Sequence, residues 1–208
     1  MDLHLLRLGL SHFIGQPLTP EVASRIEFIA TGREDFAHDP KRFAPSVAGD
    51  YVVAVERLAD VLPEMHELHS LHWLETEKHR HGFALDPDYA AMLADERAGR
   101  MIQFTVRELH EMRLVGNLRM YLAVSRHTKT VLAQEDTLFI EPAHRGGWVV
   151  MRLMRYAERV LVGQLGVREI RADSKVINNA DVLMRRLGYR HVSNVFVKVF
   201  PPKDSPCT

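Results

Sequence analysis

The stretch Glu135–Glu158, EDTLFIEPAHRGGWVVMRLMRYAE, changes its hydrophobic period part-way along, and that change decides the fold. Ala133–Ile140 is an apolar-rich run ending in β-branched and aromatic residues, which predicts a mostly buried strand. Glu141–Gly147 comes next as a turn, because Pro142, Gly146 and Gly147 stop any continuous helix or strand. From Trp148 the period becomes helical. Val149, Val150, Leu153, Met154, Ala157, Val160 and Leu161 form one stripe, while Arg152, Arg155, Glu158 and Arg159 fall mostly opposite. A strand, a glycine turn and a helix start place free backbone N–H groups at one helix terminus. Those donors and the helix dipole favour an anion, typically phosphate. An ordinary strand–helix turn is the competing reading.

Upstream, Leu118, Met120, Leu122 and Val124 alternate with Asn117, Arg119 and Tyr121, as do Ile102, Phe104 and Val106 with Gln103, Thr105 and Arg107. Both runs predict strands with one face exposed, and a polar hairpin at Ser125–Lys129 leads from them into the Ala133–Ile140 strand. Leu62–Lys78 predicts a helix with a spiral apolar seam. Asp86-Pro87 opens a second helix that runs to about Arg97 and ends at Gly99. Tyr51–Val55 predicts a short strand.

Residues 1–49 differ in character. Thr19 as N-cap and Pro20 at the first helical position start a short helix carrying Val22, Ile26 and Ile29. Asp35–Ala48, with Pro40 and Pro45, reads as a surface loop. The segment lacks apolar residues for its own core, so we expect an N-terminal extension over 1–49 and one domain over 50–208.

Downstream, Gly166 closes the central helix and Glu169–Ala172 predicts a strand. Asn178 or Asn179 opens a helix ending at Gly188, and His191–Phe200 alternates as a last strand before Pro201-Pro202. The order β-α-α-β-β-β-α-β-α-β predicts an α/β (α+β) mixed sheet. Its parallel pair is joined by the helix around Gly147–Leu165.

Composition sets outer limits. The chain has 208 residues, 46% hydrophobic and 26% charged, with 27 basic and 27 acidic side chains. That size and content suit one well-buried core. A formal charge of zero gives no field pointing to nucleic acid or an anionic membrane surface. The single Cys207 excludes an intramolecular disulfide framework. With no apolar run of spanning length, the expectation is a soluble, cytoplasmic protein.

The quoted loop resembles the acetyl-coenzyme A loop of the Gcn5-related N-acetyltransferase (GNAT) superfamily, whose core pattern is R/Q-x-x-G-x-G/A. Arg145 fits the first position, but Trp148 and Val150 stand where the family has glycines. The element order over about Asp50–Phe200 is similar too. The tail NNADVLMRRLGYR resembles the family's N-x-x-A-x-x-L-Y-x-x-x-G-F ending, with Met184 at the tyrosine position and Asn178 one place off the asparagine. The chain is also similar to phage-encoded GNAT-like proteins.

This resemblance implies a GNAT-like acyl-CoA N-acyltransferase fold and an acetyl-CoA co-substrate. Arg145, Gly146, Gly147, Trp148, Val149 and Val150 would cradle its phosphates, with Asn178 and Asn179 also at the cofactor. The backbone N–H groups of Phe139, Ile140 and Glu141 would hold the pantetheine arm and polarise the thioester. Acyl transfer also needs an amine deprotonated and a thiolate protonated. Glu135 is the preferred base and Asp136 the second, since adjacent strand residues face opposite ways. Met184 cannot protonate a thiolate, so Tyr121 or Tyr189 is the candidate acid.

The histidines cluster in MHELHSLHWLETEKHRH. His66, His69 and His72 recur every three residues, which winds them round a helix instead of converging them on one ion, so no metal is expected. In the family the corresponding helix borders the acceptor, which makes His69, His72 and Glu75 candidate substrate contacts. Three classes of function remain: an N-acetyltransferase acting on a small-molecule or peptide amine, a catalytically degenerate binding or structural module in a phage-like particle or other assembly, and a His-rich metal binder. A homo-oligomer is compatible with each.

Overall fold

The computed structural model describes residues 38–77, 83–145, 148–174 and 180–200, together with Leu10, 13–19, Val22 and Ile26. Six strands form one mixed sheet in sequence order: β1 (Ser46–Ala48), β2 (Tyr51–Val55), β3 (Met101–Glu108), β4 (Leu114–Val124), β5 (Val131–Ile140) and β6 (Val167–Arg171). All neighbours are antiparallel except β5 and β6, which are parallel. Between β2 and β3 lie α1 (Leu58–His72), continued by a π-turn at Trp73–Glu77, and α2 (Tyr89–Arg97). A 3-10 turn at Pro142–His144 and α3 (Val149–Gly163) connect β5 to β6, and α4 (Ala180–Arg186) comes last.

The amphipathic stripe of α3 settles on one face of the sheet. Leu153, Met154, Ala157, Val160 and Leu161 are buried against Phe104, Leu118, Met120 and Ala133, while Arg152, Arg155 and Arg159 stay exposed. On the other face α1 buries Leu58, Val61, Met65 and Leu68 against Met101, Leu114 and Phe139. Arg57 offers α1 no side-chain cap, and Glu96 of α2 supplies one, accepting from the Leu58 N–H at 2.7 Å. That bond ties the two helices together, and burial raises the Glu96 carboxyl above its usual range.

Cover on both faces overturns one expectation. Gln103, Thr105, Asn117 and Arg119 alternate with the core residues as predicted, yet all four are buried, because α1 and α2 roof the face they occupy. Gln103 donates through its amide nitrogen to the carbonyls of Phe104 and Leu118 at 3.0 and 3.2 Å.

Other boundaries move as well. Asp88, not Asp86, caps α2, its carboxylate accepting from the Ala91 N–H at 2.9 Å. Ser46–Ala48, expected within a loop, pairs with β2, and Phe43 just before it is only 2% exposed. Thr19 does act as a cap, accepting from the Val22 N–H at 3.3 Å. Gly188, at φ 91, ends α4 in a conformation that favours glycine. His191–Phe200, expected as the last strand, forms no strand, and Val192, Val195, Phe196 and Phe200 are exposed.

Two irregularities shape β5. Met120 pairs with Glu135 and Arg119 with Thr137, so Asp136 is an extra residue without a partner, a β-bulge. β6 pairs with β5 at Val131–Gln134, and among the described residues no strand pairs with the β6-side edge of β5 from Glu135 to Ile140. Gly116 lets β4 approach there. A Cβ on it would collide with Ile140 Cδ1 and come within 2.9 Å of the Phe139 carbonyl.

Candidate functional site

The bulge decides which carboxylate faces the space beneath α1. Asp136 Oδ2 lies 3.2 Å from Arg119 Nε and accepts from the Thr137 hydroxyl at 3.0 Å. Arg119 is 2% exposed, whereas the Asp136 side chain is 41% exposed. One end of the ion pair is therefore buried and the other meets solvent. Glu135, the expected base, turns elsewhere, and its Oε2 accepts from the Asp173 N–H at 2.7 Å, beyond the end of β6. Simple alternation from Thr137 would bring Glu135 under α1; the extra residue shifts the register by one, so Asp136 lies beside Arg119 instead.

Arg119 also fixes a histidine. Its Nη2 donates to His69 Nε2 at 2.6 Å, while His69 Nδ1 lies 2.8 Å from the Tyr89 hydroxyl. A guanidinium only donates, so Nε2 carries the lone pair and the neutral ring's proton sits on Nδ1, donating to Tyr89. Burial first, and the Arg119 charge second, lower the His69 pKa to about 3. Burial also raises Tyr89. His66 meets Tyr89 edge-on at 4.5 Å between ring centroids, and His72 lies 5.5 Å from the Phe139 ring. His66 and His69 share Tyr89 while His72 faces Phe139, and among the described residues no group of three or more metal-ligating side chains converges.

A second wall runs along the loop after β5. Arg145 donates through Nε to the Ile140 carbonyl at 2.8 Å and through Nη2 to Glu75 at 2.6 Å. Its guanidinium stands 5.3 Å over the Phe139 ring. One contiguous surface therefore holds His72, Glu75, Phe139 and Arg145. Tyr121, on the strand that carries Arg119, is half-buried, and burial followed by the Asp136 charge raises its hydroxyl pKa.

Backbone direction sorts the expected thioester contacts. The Glu141 N–H donates to the Val115 carbonyl at 2.9 Å, so it is committed to the sheet and is not free to bind a pantetheine arm. Strand alternation turns the Phe139 N–H the same way, towards β4, and leaves the N–H groups of Leu138 and Ile140 facing the open edge. Of the three expected donors, Ile140 alone has the right direction.

At the start of α3, Trp148 is the N-cap without a side-chain cap, and no acidic residue occupies the first turn. Trp148 is 69% exposed, Val149 is 4% exposed in the core, and Val150 packs against that core. Gly146, Gly147, Asn178 and Asn179 lie outside the described residues. Met184 is buried in the core. Tyr189 is raised mainly by burial, with Glu158 as the next cause.

No protein-family model matches the chain, and no curated protein matches it in sequence. Solved structures do match in shape. An aminoglycoside acetyltransferase from an uncultured soil metagenomic sample, in complex with trehalose, superposes with a TM-score of 0.59 at 16% identity, covering 76% of this chain and all of that one. Glucosamine-6-phosphate N-acetyltransferase from Arabidopsis thaliana gives 0.56 at 12% identity, over 73% of this chain and 99% of its own. Ribosomal-protein-alanine N-acetyltransferase from Brucella melitensis gives 0.54 at 15%, over 71% and 99%. The fold is that of the GNAT acetyltransferases.

In a GNAT fold the open edge of β5, where β6 diverges, is the crevice at the carboxyl ends of a parallel pair. Such crevices are where open α/β sheets bind ligands. The uncapped start of α3 closes one end of it, and the Arg119–Asp136–His69 group lies on the α1 side. Arg119, Thr137 and Tyr89 escaped the sequence reading. The available signal was chemical: Gln, Thr and Asn dominate the supposed solvent face, where an exposed strand usually carries Lys and Glu. Among the described residues no helix is long and apolar enough to cross a membrane.

Proposed function

We propose that the chain is an N-acetyltransferase that moves an acetyl group from acetyl-CoA to an amine held between α1 and β5. The open edge of β5 carries this reading, because it offers backbone donors at Leu138 and Ile140 beside a helix start with no competing acid. The phosphates of the co-substrate would meet that helix start at Trp148–Val150, and the pantetheine arm would run along the strand edge. Bound there, acetyl-CoA supplies an activated acyl group.

The acceptor amine then faces Asp136, the one carboxylate of the Glu135–Asp136 pair directed under α1. Asp136 orients the amine and takes its proton, directly or through one water. Arg119 and Thr137 hold that carboxylate in position. Tyr121, raised by burial, keeps its proton at neutral pH and is the acid for the departing thiolate. His72 and Glu75 border the acceptor, whereas His69 supports the site from behind through Arg119. An acceptor of the aminoglycoside, amino-sugar or peptide N-terminal kind fits these groups equally.

The direct test is release of the CoA thiol in the presence of a panel of such amines. Amine-dependent release supports the enzyme. Binding of acetyl-CoA with no release across the panel would overturn catalysis and leave a binding module.

Arg145 bridges Ile140 and Glu75, so it fixes the loop that would hold the phosphates. Arg145→Ala should weaken CoA binding and leave the fold intact, measured as a smaller thermal shift at equal ligand. An unchanged shift would remove the loop from the site. Trp148, 69% exposed at the helix start, and Val150 stand where the resembling loop has glycines, whose backbone a pyrophosphate can approach closely. Trp148→Gly with Val150→Gly should therefore tighten CoA binding despite a helix-propensity cost of about 1 kcal/mol per glycine. Looser binding would show that the loop holds its ligand by another geometry.

A further inference from the structure

Three turns meet where β5 runs out towards α3, and one side chain joins them. The Leu109 N–H of the β3–β4 turn donates to the Asp50 carbonyl of the β1–β2 turn at 2.8 Å. The third turn, Pro142–His144, places the His144 ring against residues of both. Its Nδ1 lies 3.1 Å from the Tyr51 hydroxyl, and the two rings meet edge-on with centroids 5.9 Å apart. Its Nε2 lies 2.8 Å from Arg113 Nη2. A guanidinium only donates, so Nε2 accepts and the ring's Nδ1 hydrogen goes to the Tyr51 oxygen. Both ring nitrogens are thus used, and the side chain is 14% exposed.

Arg113 is as fully engaged. Its Nε donates to Glu108 at 3.0 Å, its Nη1 to both Glu141 oxygens at 2.9 Å, and its Nη2 to His144. An isolated surface ion pair contributes little, but here one guanidinium joins two carboxylates and an imidazole. Backbone strain marks the same corner. Met112, just before Arg113, holds a left-handed backbone at φ 54, which a side chain beyond glycine adopts at a cost. Its N–H donates to the Glu108 carbonyl at 3.0 Å and its carbonyl accepts from Arg107 at 2.6 Å, which keeps it there. Arg145, next after His144, reaches another way, to the Ile140 carbonyl and Glu75. The turn is therefore tied on two sides, three residues before the uncapped start of α3 at Trp148.

We infer that His144 is a positioning residue for the co-substrate: held between Tyr51 and Arg113, it fixes the turn that sets where the backbone donors at the start of α3 stand. Its effect on the turn is independent of what binds there, whereas its effect on acetyl-CoA rests on the proposed function. Donors already in place cost no ordering when an anion arrives, so loosening this corner weakens affinity through preorganisation and not through a lost ligand contact.

Two readouts on the full chain test this. The Arg145 and Arg152 amides donate to the Pro142 and Trp148 carbonyls, so their hydrogen exchange reports on the turn and on the first closed bond of α3. In ligand-free His144→Ala both should exchange roughly tenfold faster, with amides of the β4–β5 ladder unchanged. Calorimetric titration with CoA should show binding weakened by about tenfold in the same variant. His144→Gln, which offers one acceptor and one donor, should restore most of both losses. Tyr51→Phe, which removes a single hydroxyl, should shift both readouts the same way by less. Unchanged exchange at both amides in His144→Ala and Tyr51→Phe would overturn the proposal. Faster exchange with unchanged CoA affinity would also overturn it, by reducing the corner to a structural tie. No CoA binding by the unaltered protein would instead refute the proposed function, and the co-substrate role of His144 with it.

Discussion

Asp136→Asn is expected to lower acetyl turnover by roughly 10²–10⁴-fold, the range for loss of a positioned acid–base group, while Glu135→Gln leaves it nearly unchanged. The contrast comes from the bulge, which turns Asp136 under α1 and sends Glu135 to the Asp173 N–H. Asp136 also has a structural part, since it is the carboxylate beside the buried Arg119. Removing its charge should cost about 2 kcal/mol of stability. That lies below the 3–5 kcal/mol of a fully buried broken pair, because the Asp136 side chain is 41% exposed. The two roles separate in a double variant. Arg119→Met with Asp136→Asn removes both charges, so it should regain most of the stability and none of the turnover. If turnover returns with stability, Asp136 acts only by holding Arg119, and no proton transfer should be assigned to it. If Glu135→Gln is the crippling change, the register is that of an unbulged strand.

A second large effect concerns acid. The native His69 pKa, lowered to about 3, lies below the ordinary imidazole value of about 6.5 expected in the unfolded chain. Between those values the unfolded state binds more protons than the native one, so stability rises with pH across that window. The contribution is complete above about pH 6.5 and is lost progressively as pH falls towards 3. At pH 5, 1.5 pH units below the unfolded value, the loss amounts to about 2 kcal/mol. His69→Gln keeps an acceptor for Arg119 and cannot titrate. Urea unfolding at pH 7 and pH 5 should therefore show a drop about 2 kcal/mol larger in the unaltered protein than in this variant. Equal drops would mean that His69 takes up its proton in the native state and does not accept from Arg119.

Legibility of this chain tracked the range of the signals. The switch from strand to helix across Glu135–Glu158 is local, set by apolar period and by Pro142, and it placed β5, the turn and α3. From these and the tail motif the GNAT fold could be read, and solved acetyltransferases match in shape. The bulge at Asp136 was not readable, because an extra residue leaves the apolar spacing on either side intact and shows only as a register shift against β4. Burial of Arg119 escaped for a related reason. Alternation shows that a strand has two faces, but helices distant in sequence decide whether the second is wet. The Glu141 N–H is committed by pairing with Val115, again a long-range fact. Thr105 and Arg107 illustrate the same limit. Both contact Glu56, and Arg107 also bonds Glu64 at 2.9 Å, so residues about fifty apart in sequence fix each other.

The pH-linked support from His69 and the carboxylate at Asp136 both serve one claim, that the open edge of β5 holds an acyl-CoA thioester next to an amine. Calorimetric titration of the unaltered protein with acetyl-CoA tests it most directly. One equivalent should bind, and at a hundred times the dissociation constant the ligand should add about 2.7 kcal/mol to the unfolding free energy. Arg145→Ala should bind more weakly. Absence of heat and of any thermal shift at millimolar acetyl-CoA would contradict the account and leave the crevice to a different ligand.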